Sequence, residues 1–140
     1  MTLAHFRERI DRDLEISGKS ELKHILFSNI RATVKKEEIS KYPRKSKLPS
    51  CIIFDSVSGC LIEDILLSNI SLTVHGGGLT EEANEKNIPE WTKDERPEAY
   101  LYNRVLPCVG LFARNTKDLE IINFIVYRQE KDLRPDIFIV

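Results

Sequence analysis

The stretch His24–Val34 reads "HILFSNIRATV", and Asp64–Val74 reads "DILLSNISLTV". A weaker third copy, "TKDLEIINFIVYR", covers Thr116–Arg128, so the phrase centres in turn on Asn29, Asn69 and Asn123. On both sides of each asparagine the apolar residues alternate: Ile65 and Leu67 precede Asn69, and Ile70, Leu72 and Val74 follow it. A period of two marks a strand with one buried face. The phase slips by one residue at the asparagine, so each copy predicts two short strands bent there. Asparagine suits a bend because it tolerates left-handed backbone angles and its amide can bond neighbouring backbone groups.

A further strand precedes the second and third copies, in "CIIFDSV" (51–57) and "CVGLFARN" (108–115). The short "DLEISG" (13–18) stands in the same place before the first copy, and "RPDIFIV" (134–140) begins a fourth unit. Strand, turn, strand, bend, strand, repeated at intervals, predicts a right-handed parallel β-helix, a solenoid of three to four coils. In that arrangement Asn29, Asn69 and Asn123 stack as a structural ladder, each side chain bonding the next. The eight shared pattern positions argue against a β-sandwich, which needs no such matching.

Residues 1–18 differ in kind. Leu3, Phe6, Ile10 and Leu14 recur at three- and four-residue steps among charged residues, which predicts an amphipathic helix. Such a helix would cap the open end of coils that span 19–140. Two excursions leave the coils, at 35–50 and at 75–107. The second carries Trp91, the only tryptophan, and is far longer than a connection requires.

Composition narrows the function. The chain has 140 residues, 41% hydrophobic and 31% charged, which is the profile of one globular domain. Its 21 basic and 22 acidic residues leave a net charge of −1, so there is no basic field for a nucleic-acid backbone. No apolar run approaches the roughly 18 residues that a membrane span requires. The opening "MTLAHFRERIDRDLE" places charges where a secretory signal has its apolar stretch, so the chain as written is expected to stay in the cytoplasm. Cys51, Cys60 and Cys108 show no CxxC spacing, so neither a zinc site nor a disulfide framework is expected. No cofactor is called for.

The segments "IEDILLSNISLTVHGGGLTEEANEKNIPE" (62–90) and "RPEAYLYNRVLPCVGLFARNTKDLEIINF" (96–124), with "RPDIFIV" after them, resemble the C-terminal coils of family 28 glycoside hydrolases. Those polygalacturonase-like β-helix enzymes hydrolyse pectic glycosidic bonds and are usually exported. The family's motifs resembling "NTD", "DD", "GHG" and Arg-x-Lys do not occur in order here. The "HGGG" at His75 is not the "GHG" motif. The resemblance therefore implies the C-terminal part of a pectin-cleaving hydrolase, inactive alone, with a non-catalytic module that binds acidic polysaccharide or self-assembles as the alternative.

A rebuilt site has few candidates. Five residues before each asparagine stand His24, Asp64 and Asp118, and strands in register would bring these within roughly 5 Å of one another. Asp64 and Asp118 are the candidate carboxylates, because a close pair with one raised pKa is what glycoside hydrolysis uses. The preceding column, Lys23, Glu63 and Lys117, alternates in charge and predicts plain ion pairing between repeats. Trp91 and Arg114 are the candidate substrate-binding residues, Arg114 as an outward-facing fork for a uronate carboxylate. Gly76, Gly77 and Gly78 predict a sharp exit from Val74. With so few coils, an uncovered end predicts capping by residues 3–15 or an end-to-end homodimer.

Overall fold

In the computed structural model the residues described are 21–34, 52–56, 59–90 and 105–140. The proposed helical cap (1–18), the whole 35–50 excursion and Trp91 lie outside them. Three long strands, β1 (Leu22–Thr33), β3 (Ile62–Val74) and β5 (Thr116–Arg128), carry the three copies of the repeat. Three short strands, β2 (Ile52–Phe54), β4 (Leu111–Ala113) and β6 (Ile137–Ile139), alternate with them along the chain. The long strands form one parallel sheet in the order β1-β3-β5, and the short strands form a second in the order β2-β4-β6.

This corrects the expected architecture. The fold is two open three-stranded parallel sheets, neither closing on itself, and not a right-handed β-helix solenoid with three strands per coil. The error lies in the asparagine bend, which does not divide a repeat into two strands. Asn69 has φ of 56° yet sits inside one continuous strand, and pairing resumes at once on either side of it, Ser28 against Ser68 and Ile30 against Ile70. A single left-handed residue rotates the side-chain phase without ending the hydrogen-bonded ladder.

A second kink of the same kind precedes the first. His24, Asp64 and Asp118 have φ of 58°, 53° and 54°, five residues before Asn29, Asn69 and Asn123 at 56°, 56° and 53°. The inward series on β3 therefore runs Ile62, Ile65, Leu67, Ile70, Leu72 and Val74, with a step of three at each kink and two elsewhere. Asparagine and aspartate enter the left-handed region at lower cost than other side chains with a Cβ, which gives Asp64 and Asp118 a conformational reason to be there.

Parallel register then stacks like on like. Ile25, Ile65 and Leu119 form one column, and Phe27, Leu67 and Ile121 another. These columns meet Phe54, Leu111 and Ala113 from the short strands to make the main core. Each fully buried leucine or isoleucine on β3 contributes about 1.5–3 kcal/mol relative to exposure. Outside the core the asparagines join: Asn69 Nδ2 donates to Asn29 Oδ1 at 3.2 Å, and Asn123 Nδ2 donates to Asn69 Oδ1 at 2.9 Å. Glu63 lies between two lysines, 3.9 Å from Lys23 Nζ and 3.4 Å from Lys117 Nζ.

Candidate functional site: buried arginines and an open sheet edge

The strand β4 is buried on both faces, contrary to the alternation expected of it. Leu111 and Ala113 face the main core, while Phe112 joins a second cluster with Leu106 and Cys108, flanked by Ile53, Ile88 and Phe138. Two members of that cluster, Ile88 and Leu106, come from the two described ends of the 75–107 excursion. Arg114 consequently does not face solvent, and its reading as an outward fork for a uronate is corrected.

The Arg114 guanidinium is consumed within the fold. Its Nε donates to Asp55 Oδ1 at 2.9 Å and its Nη2 to Asp55 Oδ2 at 2.7 Å, a bidentate pair between neighbouring short-strand ends. Nη1 donates to the Ile88 carbonyl and Nη2 to the Pro89 carbonyl, both at 2.8 Å. The Phe112 ring lies 5.8 Å from the guanidinium carbon. A planar five-donor group can satisfy a carboxylate and two carbonyls together, which a lysine could not.

A second buried arginine repeats the device. Arg134 Nη2 donates to Asp132 Oδ2 at 2.8 Å and Nε to Asp132 Oδ1 at 3.1 Å, with both side chains essentially buried. Its Nη1 reaches the carbonyls of Leu106 and Cys108 at 3.3 and 3.2 Å. Arg114 thus holds the outgoing end of the excursion and Arg134 the returning end. Nothing in the sequence pattern announces the first pair, because Asp55 and Arg114 are 59 residues apart and carry no periodic signal.

The glycine triplet belongs to the same construction. Instead of leaving at Val74, the backbone runs on beside 129–133: Gln129 and Glu130 donate to the carbonyls of Val74 and His75, Gly77 donates to Lys131, and Leu133 donates to Gly78. A Cβ at Gly78 would overlap Asp132 Oδ1 and Arg134 Nε, so the glycine makes room for the buried pair. Burial pushes the Asp132 carboxyl upward, but hydrogen bonds from the Arg134 side chain and backbone, the Arg134 charge and the Gly78 backbone together hold it below the ordinary carboxylate range. A carboxylate depressed in the folded state contributes stability that is present above its unfolded pKa and is lost as pH falls through its folded value. Thermal melts should show a midpoint that is steady above about pH 5 and drops in acid, with a shallower drop in Asp132→Asn. Identical acid slopes in the two proteins would exclude Asp132 as a contributor.

The candidate carboxylates sit on the solvent side of the long-strand sheet. His24 Nδ1 is 2.6 Å from Asp64 Oδ2, with both side chains mostly exposed. Asp118 follows Asp64 in the column, between the paired positions Glu63–Lys117 and Ile65–Leu119. Among the described residues no group of three or more His, Cys, Asp or Glu side chains is arranged to hold a metal ion. Of the cysteines described, Cys108 is buried and Cys60 exposed.

One surface stands out. The inward residues of β5, Leu119, Ile121, Phe124 and Val126, are only half-buried, whereas their register partners on β3 are buried. On the outward face of β5, Ile122, Ile125 and Tyr127 are 47%, 40% and 55% exposed. On β6, which pairs with β4 alone, Ile137 and Phe138 are half-buried and Ile139 is exposed. Among the described residues nothing pairs with the outer edge of either strand.

A scan against protein-family models and searches of curated proteins and of solved structures find no match for this chain. The expected membership of the polygalacturonase-like hydrolases is therefore corrected. No homology supports it, and the two open sheets lack the coiled architecture on which that activity is built.

Proposed function

We propose that this chain is a self-associating structural module, which adds to a second copy through the outer edges of β5 and β6. The observation that carries the reading is the contrast in burial along one register: Leu67 and Ile70 are 1% exposed on β3, while Ile121 and Phe124 beside them on β5 remain half-exposed. An edge strand with unpaired backbone groups and uncovered apolar side chains is a template for another strand. The arginines support the same reading from the other side. Their guanidinium groups pin the excursion and leave no fork for an anionic sugar.

Sedimentation velocity over a roughly hundredfold range of protein concentration tests the proposal, since association makes mass depend on concentration. The expected result is a mean mass that rises above 16.2 kDa. A constant monomer mass across the whole range would defeat it. Ile125→Lys, which places a charge on the exposed face of the edge strand, should move the equilibrium toward monomer while leaving the thermal midpoint nearly unchanged.

A further inference from the structure

The described strands come in pairs, a short strand followed by a long one: β2 with β3, and β4 with β5. The first described strand, β1, is a long one and the last, β6, is a short one. Among the described residues, the long-strand sheet has free edges at β1 and β5 and the short-strand sheet at β2 and β6.

Resting on the assembly reading above, we infer that copies join head to tail, β5 of one against β1 of the next in parallel register, with β6 against β2. The shared repeat then consists of β6 from one copy and β1 from its neighbour. Kink spacing selects this arrangement over a two-fold one. β1 and β5 each carry left-handed residues five positions apart, at His24 and Asn29 and at Asp118 and Asn123, so a parallel partner stacks kink on kink as β3 already does. An antiparallel copy of β5 would oppose each kink to regular strand and interrupt the ladder there.

The register also suits the side chains. Extending the observed columns places Ile121 on Phe27 and Phe124 on Ile30 of the next copy, closing the half-exposed core at both ends. Asp118 meets His24, as Asp64 does within one copy, and Asn123 meets Asn29 to continue the amide ladder. Lys117 meets Lys23, which already has Glu21 at 3.3 Å to offset the like charge. Such a contact joins two different surfaces, so it does not close on itself and builds an open series of copies.

Ser28, Ser68 and Ile122 share one outward column, so Ile122 of one copy should lie beside Ser28 of the next. Adjacent strands are about 4.8 Å apart, inside the roughly 4.4–6.8 Å Cα range of a disulfide. In a background with Cys51→Ser and Cys60→Ser, full-length Ser28→Cys and Ile122→Cys proteins of different tag length are mixed and mildly oxidised. The expected product is a mixed-tag disulfide dimer that neither protein forms alone. A disulfide dimer of Ile122→Cys by itself would indicate a two-fold edge pairing and overturn the head-to-tail register. Association in sedimentation without the mixed product would overturn it too and leave the assembly reading standing. Absence of association at every concentration would remove both.

Discussion

Replacing Arg114 by methionine will destabilise the fold by about 3–5 kcal/mol, since it removes a bidentate guanidinium from a buried carboxylate. Asp55 has a side chain 1% exposed and would lose both charge-assisted bonds that Arg114 donates to it. The carbonyls of Ile88 and Pro89 would lose their donors in the same substitution. Chemical denaturation of Arg114→Met, Asp55→Leu and the double variant measures this directly. The double variant should recover a large part of the loss, because an apolar pair of similar volume avoids the desolvation that the ions incur. Losses that simply add would show that Arg114 and Asp55 are not coupled, contrary to their bidentate geometry.

Gly76→Ala should cost about 3 kcal/mol or more, from two causes acting together. The backbone there has φ of 89°, a region that a residue with a Cβ enters only under strain. The new methyl would also overlap the carbonyl oxygen of Glu130, a backbone atom held in place by the pairing of 74–78 with 129–133. A glycine at a φ near 84° elsewhere, Gly59, has nothing within 4 Å of its would-be Cβ. Gly59→Ala therefore carries the conformational strain without the collision. Equal denaturation midpoints for the two variants would show that contact with Glu130 adds nothing.

Much of the long-strand sheet can be read from the chain. Alternating apolar residues around three asparagines locate β1, β3 and β5, and their common offset sets the parallel register. The same pattern misleads about connectivity. A phase slip looks identical in sequence whether the strand ends or merely kinks, and only the ladder continuing past Asn69 separates the two. His24, Asp64 and Asp118 show the cost of reading chemistry from a column: their residue types are accounted for by left-handed backbone as readily as by acid and base roles. Arg114 shows the complementary failure, since alternation turns it outward and only the folded-back excursion buries it.

What the sequence determined by itself is local and periodic. The step of two along each strand follows from pleating, and the shared offset follows from stacking equal side chains in parallel. What only the tertiary structure decided is non-local: Asp55 on Arg114, Arg134 on the carbonyls of Leu106 and Cys108, and Gly78 beneath Asp132 and Arg134. Those contacts join segments with no common period, through desolvated charge and close backbone approach, and neither leaves a trace in the spacing of residues along the chain.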